Sequence, residues 1–394
     1  MHPDEANQAV RAGILLESGV YRYDPREHHG PSLYWITLPW LTWRAGDLAH
    51  ADESAFRLVP VLFGTGLVLL VWLVADGLGR VPAVLAGILT AVSPAMVYYS
   101  RYYIQETLLV FFTLAAIGCA WRYVRTRSWG WAVGAGVSFG LMYATKETWV
   151  LAVAAMIVGL LMTAAWTRWR YGKLPAVQTF LRLGPLSAGI AAACLVAVLL
   201  YCSFGANWRG PIDSILAFAV YWRRGTEPGI HVHPWYRYLQ WLFAFRPARG
   251  FFWSEGLIAA LAVVGSVVAL RAKKQNVSTL GSQQRSDDRS LILFLAFYTL
   301  ALTVFYSAVP YKTPWCALGF LHGMILLAGV GAWAIVRGAP ALPLKLAFAL
   351  ALAVGVAQLA RQSYALNYRF FADQRNPYVY AHTSQDAVEL GKLM

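Results

Sequence analysis

Apolar runs separated by short polar or basic stretches dominate the chain. A membrane-crossing helix needs about 20 mostly apolar residues, and ten runs meet or approach that length: 57–76, 82–99, 104–122, 129–145, 148–166, 182–204, 254–270, 290–309, 314–336 and 341–360. Two joins are very tight, at Arg80 and at Lys146-Glu147, so the spans beside them are expected to be short or partly re-entrant. The pattern predicts an all-α polytopic membrane protein. It divides the chain into an N-terminal segment 1–56, a transmembrane core 57–204, a loop 205–253, C-terminal spans 254–360 and a tail 361–394.

The basic residues give the spans a direction, because Lys and Arg accumulate in cytoplasmic loops. Alternate gaps carry Arg80; Arg125 and Arg127; Arg168, Arg170 and Lys173; Arg271, Lys273, Lys274, Arg285 and Arg289; and Arg337. The short gaps between them carry single charges at Arg101, Lys146 and Lys312. The first set is therefore expected to be cytoplasmic. Residues 1–56, the loop 205–253 and the tail from Arg361 are expected on the extracytoplasmic face of the plasma (inner) membrane. The long basic stretch "RAKKQNVSTLGSQQRSDDRS" is polar and expected to be flexible. Its "NVS" at Asn276 falls on the cytoplasmic side, where a glycosylation sequon has no meaning. An extracytoplasmic N-terminal segment needs something upstream to carry it across, so an eleventh, N-terminal span is expected to precede residue 1. The tail breaks off as a helix-like "SQDAVEL" begins, and truncation is expected there too.

Composition narrows the class. Charged residues make up 13% of the chain, where a soluble domain has roughly a quarter, and mean hydropathy is +0.50. The net charge of +14 would point to nucleic acid in a soluble protein. Here it sits between apolar runs, where topology and lipid head groups account for it, and no nucleic-acid partner is expected. The 17 Trp and 21 Tyr suit membrane interfaces. Cys119, Cys194, Cys202 and Cys316 lie in or beside apolar runs, without metal-type spacing, and read as buried small hydrophobes. The chain shows no Walker loop, and the glycines of "GTGLVLLVWLVADGLGR" sit in a span, so cytosolic nucleotide binding is not expected.

Ionisable groups at membrane depth are costly and mark function, and one face collects many. They are Asp4 and Glu5; His28 and His29; Arg101 and Glu106; Lys146 and Glu147; His231 and His233, beside Tyr236; and Lys312. Each has a plainer explanation. Glu106 fits a helix N-terminus, Lys146 can snorkel or pair with Glu147, and the histidines can be loop residues. "HVH" alone is weak as a metal site. Together they offer a chemistry. One carboxylate takes a proton from an attacking hydroxyl, and another holds a divalent cation such as Mg or Mn against a phosphate leaving group, with Asp4 and Glu106 as its ligands. Cationic side chains neutralise the phosphate.

The segments "MHPDEA", "YRYDPREHHGP", "RLVPVLFG", "SPAMVYYSRYYIQETLLVFF", "TKETWVL", "HPWYRYL" and "NPYVYAHTS" together resemble the GT-C superfamily of polyprenyl-phosphate-sugar glycosyltransferases. Within it they are similar to the protein O-mannosyltransferases and the aminoarabinose transferases, and most similar to the flippase-activity-associated family of archaeal N-glycosylation. The resemblance implies a helical membrane enzyme that moves a sugar from a polyprenyl-phosphate donor to a glycan, lipid or protein acceptor, with inversion. It implies Asp4 as base or metal contact accompanied by Glu5, and Glu106 at the second acidic position, where Asp is usual. It also implies His29, with His28 beside it, near the donor phosphate. Arg101 and Lys146 join the phosphate group by position, and His231, His233, Tyr236 and Lys312 are acceptor-side or loop candidates. The family's first external loop holds two helices lying along the membrane, and residues 5–18 and 32–45 fit them. Asp4-Glu5 then stands where a first span should just have ended. Two rivals stay open. One is a non-catalytic lipid-linked-sugar flippase or accessory protein, favoured if Asp4 and Glu106 lie scattered. The other is a secondary transporter, which would show an inverted repeat.

Overall fold

A computed structural model of the chain describes residues 2–26, 29–172, 182–226, 231–247, 251–271 and 282–380. The described residues fold into helices, with isolated bridges joining Val232 to Tyr311 and Phe245 to Trp253.

The N-terminal segment holds two helices, α1 (Pro3–Ser18) and α2 (Ser32–Arg44). Local chemistry starts α1 sharply. His2 caps it by accepting from the Asp4 amide at 3.1 Å, and Glu5 reaches back to the His2 amide at 2.9 Å, a closed capping box. Pro3 occupies the first turn, where its missing N–H costs nothing. Helix α3 (Glu53–Leu70) is capped by Asp52 on the Ala55 amide at 2.7 Å. It runs on through a 3₁₀ turn into α4 (Ala75–Leu78), giving an apolar path of 26 residues. After it come α5 (Arg80–Val92), α6 (Pro94–Ser100), α7 (Glu106–Thr126), α8 (Trp129–Tyr143) and α9 (Trp149–Tyr171). The C-terminal half adds Leu183–Tyr201, Gly210–Thr226, Arg237–Phe243, Gly256–Arg271, Ser282–Ala308, Leu318–Gly338 and Leu342–Tyr364.

Each of the ten expected spans falls on a helix, but not all are long. Among the described residues seven helices are long and apolar enough to cross a membrane, or eight if α5 and α6, bent by 61°, count as one broken span. The break has a visible cause, since Pro94 follows Ser93 and cannot continue the α5 hydrogen-bond ladder. Helix α8 has 15 residues and Gly256–Arg271 has 16. At about 1.5 Å per residue both fall short of a bilayer core of about 30 Å.

Helix α7 and the stretch Pro314–Gly338 form the centre, each with 67% of its apolar window buried, whereas Leu342–Arg369 has 6% buried and lies at the periphery. Small residues let the central helices approach closely, as expected where no hydrophobic drive separates helix from lipid. A Cβ placed on Gly265 would stand 2.1 Å from the Leu327 carbonyl oxygen.

Candidate active site

The site begins where α1 docks. Its buried face reads Glu5, Gln8, Ala9, Ala12, Gly13 and Leu15, spaced as one side of a helix. Glu5 is fully buried and accepts four hydrogen bonds. Arg57 of α3 donates Nε to Oε1 at 2.8 Å and Nη2 to Oε2 at 2.7 Å, the Tyr103 amide donates at 2.9 Å, and the His2 amide donates at 2.9 Å. Burial would raise the Glu5 pKa, but Arg57 and the two amides hold it below the usual carboxylate range. Gln105 donates to Gln8 at 2.9 Å, and Tyr34 of α2 donates to the same Gln8 oxygen. Helix α1 is thereby tied to residues 103–105, the turn that leads into α7. Asp4, one residue before Glu5, faces the other way with 53% of its side chain exposed and His2 Nδ1 at 3.9 Å.

Glu106 opens α7 and is buried, where it accepts a hydrogen bond from Lys146. Burial pulls the Lys146 ammonium down, and the Glu106 charge outweighs this and holds it above the usual range. Glu106 lines a cavity of about 20 Å³ together with Thr113, Thr148, Tyr298, Tyr306, Trp315 and Cys316, room for about one water molecule. Trp315 connects this cavity to α1, because its ring also meets His2 edge-on at 5.6 Å between centroids. His2, the residue that caps Asp4's helix, and Glu106 therefore both border Trp315.

The segments "HGPS" and "ATKE" interlock. The Ser32 amide donates to the Ala144 carbonyl at 2.8 Å, and Ser32 Oγ meets Thr145 Oγ1 at 2.7 Å. Gly30 packs so tightly here that a Cβ would stand 2.3 Å from the Ala144 oxygen. The lock brings His29 Nδ1 to 2.8 Å from Glu147 Oε2. Tyr23 donates to Glu147 Oε1 at 2.9 Å, and Tyr221 lies 3.0 Å from His29 Nδ1. Burial raises the Glu147 pKa, and His29 and Tyr23 more than offset it, leaving it lowered.

The other sequence candidates have partners of their own. Arg101 donates to the Asn367 carbonyl at 2.7 Å and stacks over Tyr368. Lys312 is fully buried and donates to the carbonyls of Tyr306, Ser307 and Val309 at the end of Ser282–Ala308, the usual place for a cation on a helix C-terminus. His231 bonds to the Tyr380 hydroxyl, and the His233 amide donates to the Pro310 carbonyl at 3.0 Å. Tyr236 is 47% exposed. His28 lies outside the described residues.

Three participants escaped the sequence reading. Arg57 neutralises Glu5, and its signal was an arginine one turn inside an apolar helix. Glu147 was noted as a charge but not as the partner of His29. Glu255 is buried, and among the described residues its donors are neutral: Ser93 Oγ at 2.5 Å, Tyr378 Oη at 2.6 Å and the Ala95 amide at 2.9 Å. Burial raises its pKa.

Among the described residues no group of three or more His, Cys, Asp or Glu gathers, so the expected divalent cation would rest on one or two carboxylates and the donor phosphate, as magnesium does. Glu106 already has the Lys146 ammonium beside it.

Residues 31–187 match the family model described as dolichyl-phosphate-mannose-protein mannosyltransferase. That stretch contains Glu106, Lys146 and Glu147 and stops short of Asp4. No curated protein sequence matches the chain. Solved structures do. The Archaeoglobus fulgidus oligosaccharyltransferase, tethered with an acceptor peptide containing the NVT sequon, is 12% identical with a TM-score of 0.58, over 97% of this chain and 52% of that one. ArnT from Cupriavidus metallidurans, bound to undecaprenyl phosphate, is 17% identical with a TM-score of 0.58, over 95% of this chain and 70% of that one. AglB from Archaeoglobus fulgidus, in complex with an inhibitory peptide and a dolichol-phosphate, is 12% identical with a TM-score of 0.57, over 98% and 53%. This chain spans about half the length of the archaeal oligosaccharyltransferase, 52%. At such identities the likeness is one of fold. The chain therefore shares its fold with these transferases, and its residues 31–187 are similar to the dolichyl-phosphate-mannose-protein mannosyltransferase family.

Proposed function

We propose that the chain moves a sugar from a polyprenyl-phosphate donor to a glycan, lipid or protein acceptor on the extracytoplasmic face of the membrane, with inversion. The observation that carries this reading is the contrast between adjacent carboxylates. Glu5 is buried and fully hydrogen-bonded, so it fixes α1, and Asp4 on the same helix stays 53% exposed. A carboxylate on a rigid element, open to one side, is suited to general-base work.

In this reading the acceptor hydroxyl gives its proton to Asp4 as its oxygen bonds to the anomeric carbon. The bond from that carbon to the phosphate oxygen breaks, and the lipid phosphate leaves with the electron pair. His29, with 23% of its side chain exposed, faces the phosphate. Glu106 keeps Lys146 charged at the neighbouring cavity and does not itself take the proton. Tyr236 remains the exposed acceptor-side candidate. No step is routed through a metal.

The second reading, a lipid-linked-sugar flippase or accessory protein, draws on the fact that Glu5, Glu106 and Glu147 each have a basic partner. Labelled polyprenyl-phosphate sugars supplied to membranes holding the chain separate the two. Transfer that falls about 100- to 10,000-fold in Asp4→Asn, at equal protein level, supports the enzyme. Transfer indifferent to Asp4→Asn removes the general-base role, and no transfer from any donor favours the accessory reading.

A further inference from the structure

We infer that Glu147 is a positioning residue for His29. Its carboxylate holds the Nδ1 edge of the ring and so turns the Nε2 edge toward the phosphate of the lipid donor. The inference rests on the reading of the chain as a lipid-phosphate-sugar transferase.

The geometry that points to it is local and dense. Glu147 is 6% exposed, and a buried carboxylate persists only with a counter-charge or strong donors. Its neighbour Lys146 turns to Glu106, so the basic group at Glu147 is His29, 2.8 Å away. Tyr23 takes the other carboxylate oxygen at 2.9 Å. The pair cannot drift apart, because Ser32 is bonded to both Ala144 and Thr145 and Gly30 abuts the Ala144 carbonyl. A histidine whose Nδ1 donates to a carboxylate has its tautomer and ring orientation fixed. With that edge engaged, Nε2 is the nitrogen left for a ligand, on a ring that keeps 23% of its side chain exposed. The titratable groups facing His29 are Glu147 from the α8–α9 turn, Tyr221 from Gly210–Thr226, and Tyr21, which donates to the His29 carbonyl at 3.0 Å from its own segment. Among these only Glu147 is anionic at neutral pH.

The test measures binding of undecaprenyl monophosphate to the full chain in nanodiscs at pH 6 and pH 8. The proteins are the wild type, Glu147→Gln, His29→Lys and His29→Lys/Glu147→Gln, each checked by circular dichroism and gel filtration. Glu147→Gln is expected to bind about tenfold more weakly than wild type at both pH values, the scale of one lost hydrogen bond to a charged group. Lysine has no ring to orient, so the double variant is expected to bind like His29→Lys at both pH values. Titration of the phosphate itself is common to all four and cancels in the ratios. Equal binding by wild type and Glu147→Gln at pH 8 overturns the inference. So does a double variant as weak as Glu147→Gln, because a merely structural Glu147 would not be rescued by a charge at residue 29. A wild type that does not bind the lipid phosphate at all overturns the proposed function instead.

Discussion

Replacing Arg57 by Met is expected to unpin α1 while leaving the spans in place. Glu5 accepts two bonds from Arg57 and two from backbone amides. Removing the guanidinium leaves a fully buried carboxylate with the amides alone, a loss of about 3–5 kcal/mol for a broken buried pair. The sign of the pH dependence follows. In the wild type the folded pKa of Glu5 is lowered, so its stabilisation is present above the ordinary glutamate value and is lost as pH falls through the folded one. In Arg57→Met burial is no longer opposed by a cation, and the folded pKa rises. The variant is then least penalised below the ordinary value of about 4.3 and increasingly penalised as pH rises. Hydrogen exchange over residues 3–18 in nanodiscs reads this directly. Exchange about 100-fold or more faster than wild type is expected at pH 8, from the roughly 3 kcal/mol lower bound, with a narrower gap at pH 5. Glu5→Gln/Arg57→Met, which buries no charge, is expected to recover most of the protection. Unchanged exchange in Arg57→Met, or a double variant no better than the single, would refute the reasoning.

Gly30→Ala forces a Cβ to within 2.3 Å of the Ala144 oxygen. It is expected to lower stability by about 1–3 kcal/mol, seen as a reduced thermal midpoint in detergent; an unchanged midpoint would show that the two segments are not locked. Glu255→Gln addresses a carboxyl whose folded pKa is raised by burial. Such a group stabilises fully below its unfolded pKa and loses that contribution as pH rises through the folded value. The wild-type midpoint is therefore expected to drop more than that of Glu255→Gln between pH 5 and pH 8, and parallel curves would count against a raised Glu255.

The long spans were legible because about 20 apolar residues admit few other structures. The shortness of α8 was legible too, from the tight join at Lys146-Glu147 that follows it. On α1 the phase of the pattern held more than was drawn from it. Glu5 shares a face with Ala9, Ala12 and Leu15, which distinguishes it from Asp4. Pairings were beyond reach. Glu106 and Lys146 are 40 residues apart and His29 and Glu147 are 118 apart, and a charge carries no address for a partner that far along the chain. The quoted segments "HGP" and "TKE" marked both places without revealing that they fit each other.

His2, the cap of α1, is bonded to the Tyr380 carbonyl, 378 residues later, and Tyr99 donates to the Tyr378 carbonyl at 2.9 Å. At roughly 5–20 residues per second of synthesis, the first turn of α1 waits roughly 20 to 75 seconds for these partners to be made. Throughout that interval Tyr99 and the cap of α1 lack these partners. A chain released before residue 378 could keep every span and still lack the contacts that close over Asp4's helix, so for this protein insertion and maturation are separate events.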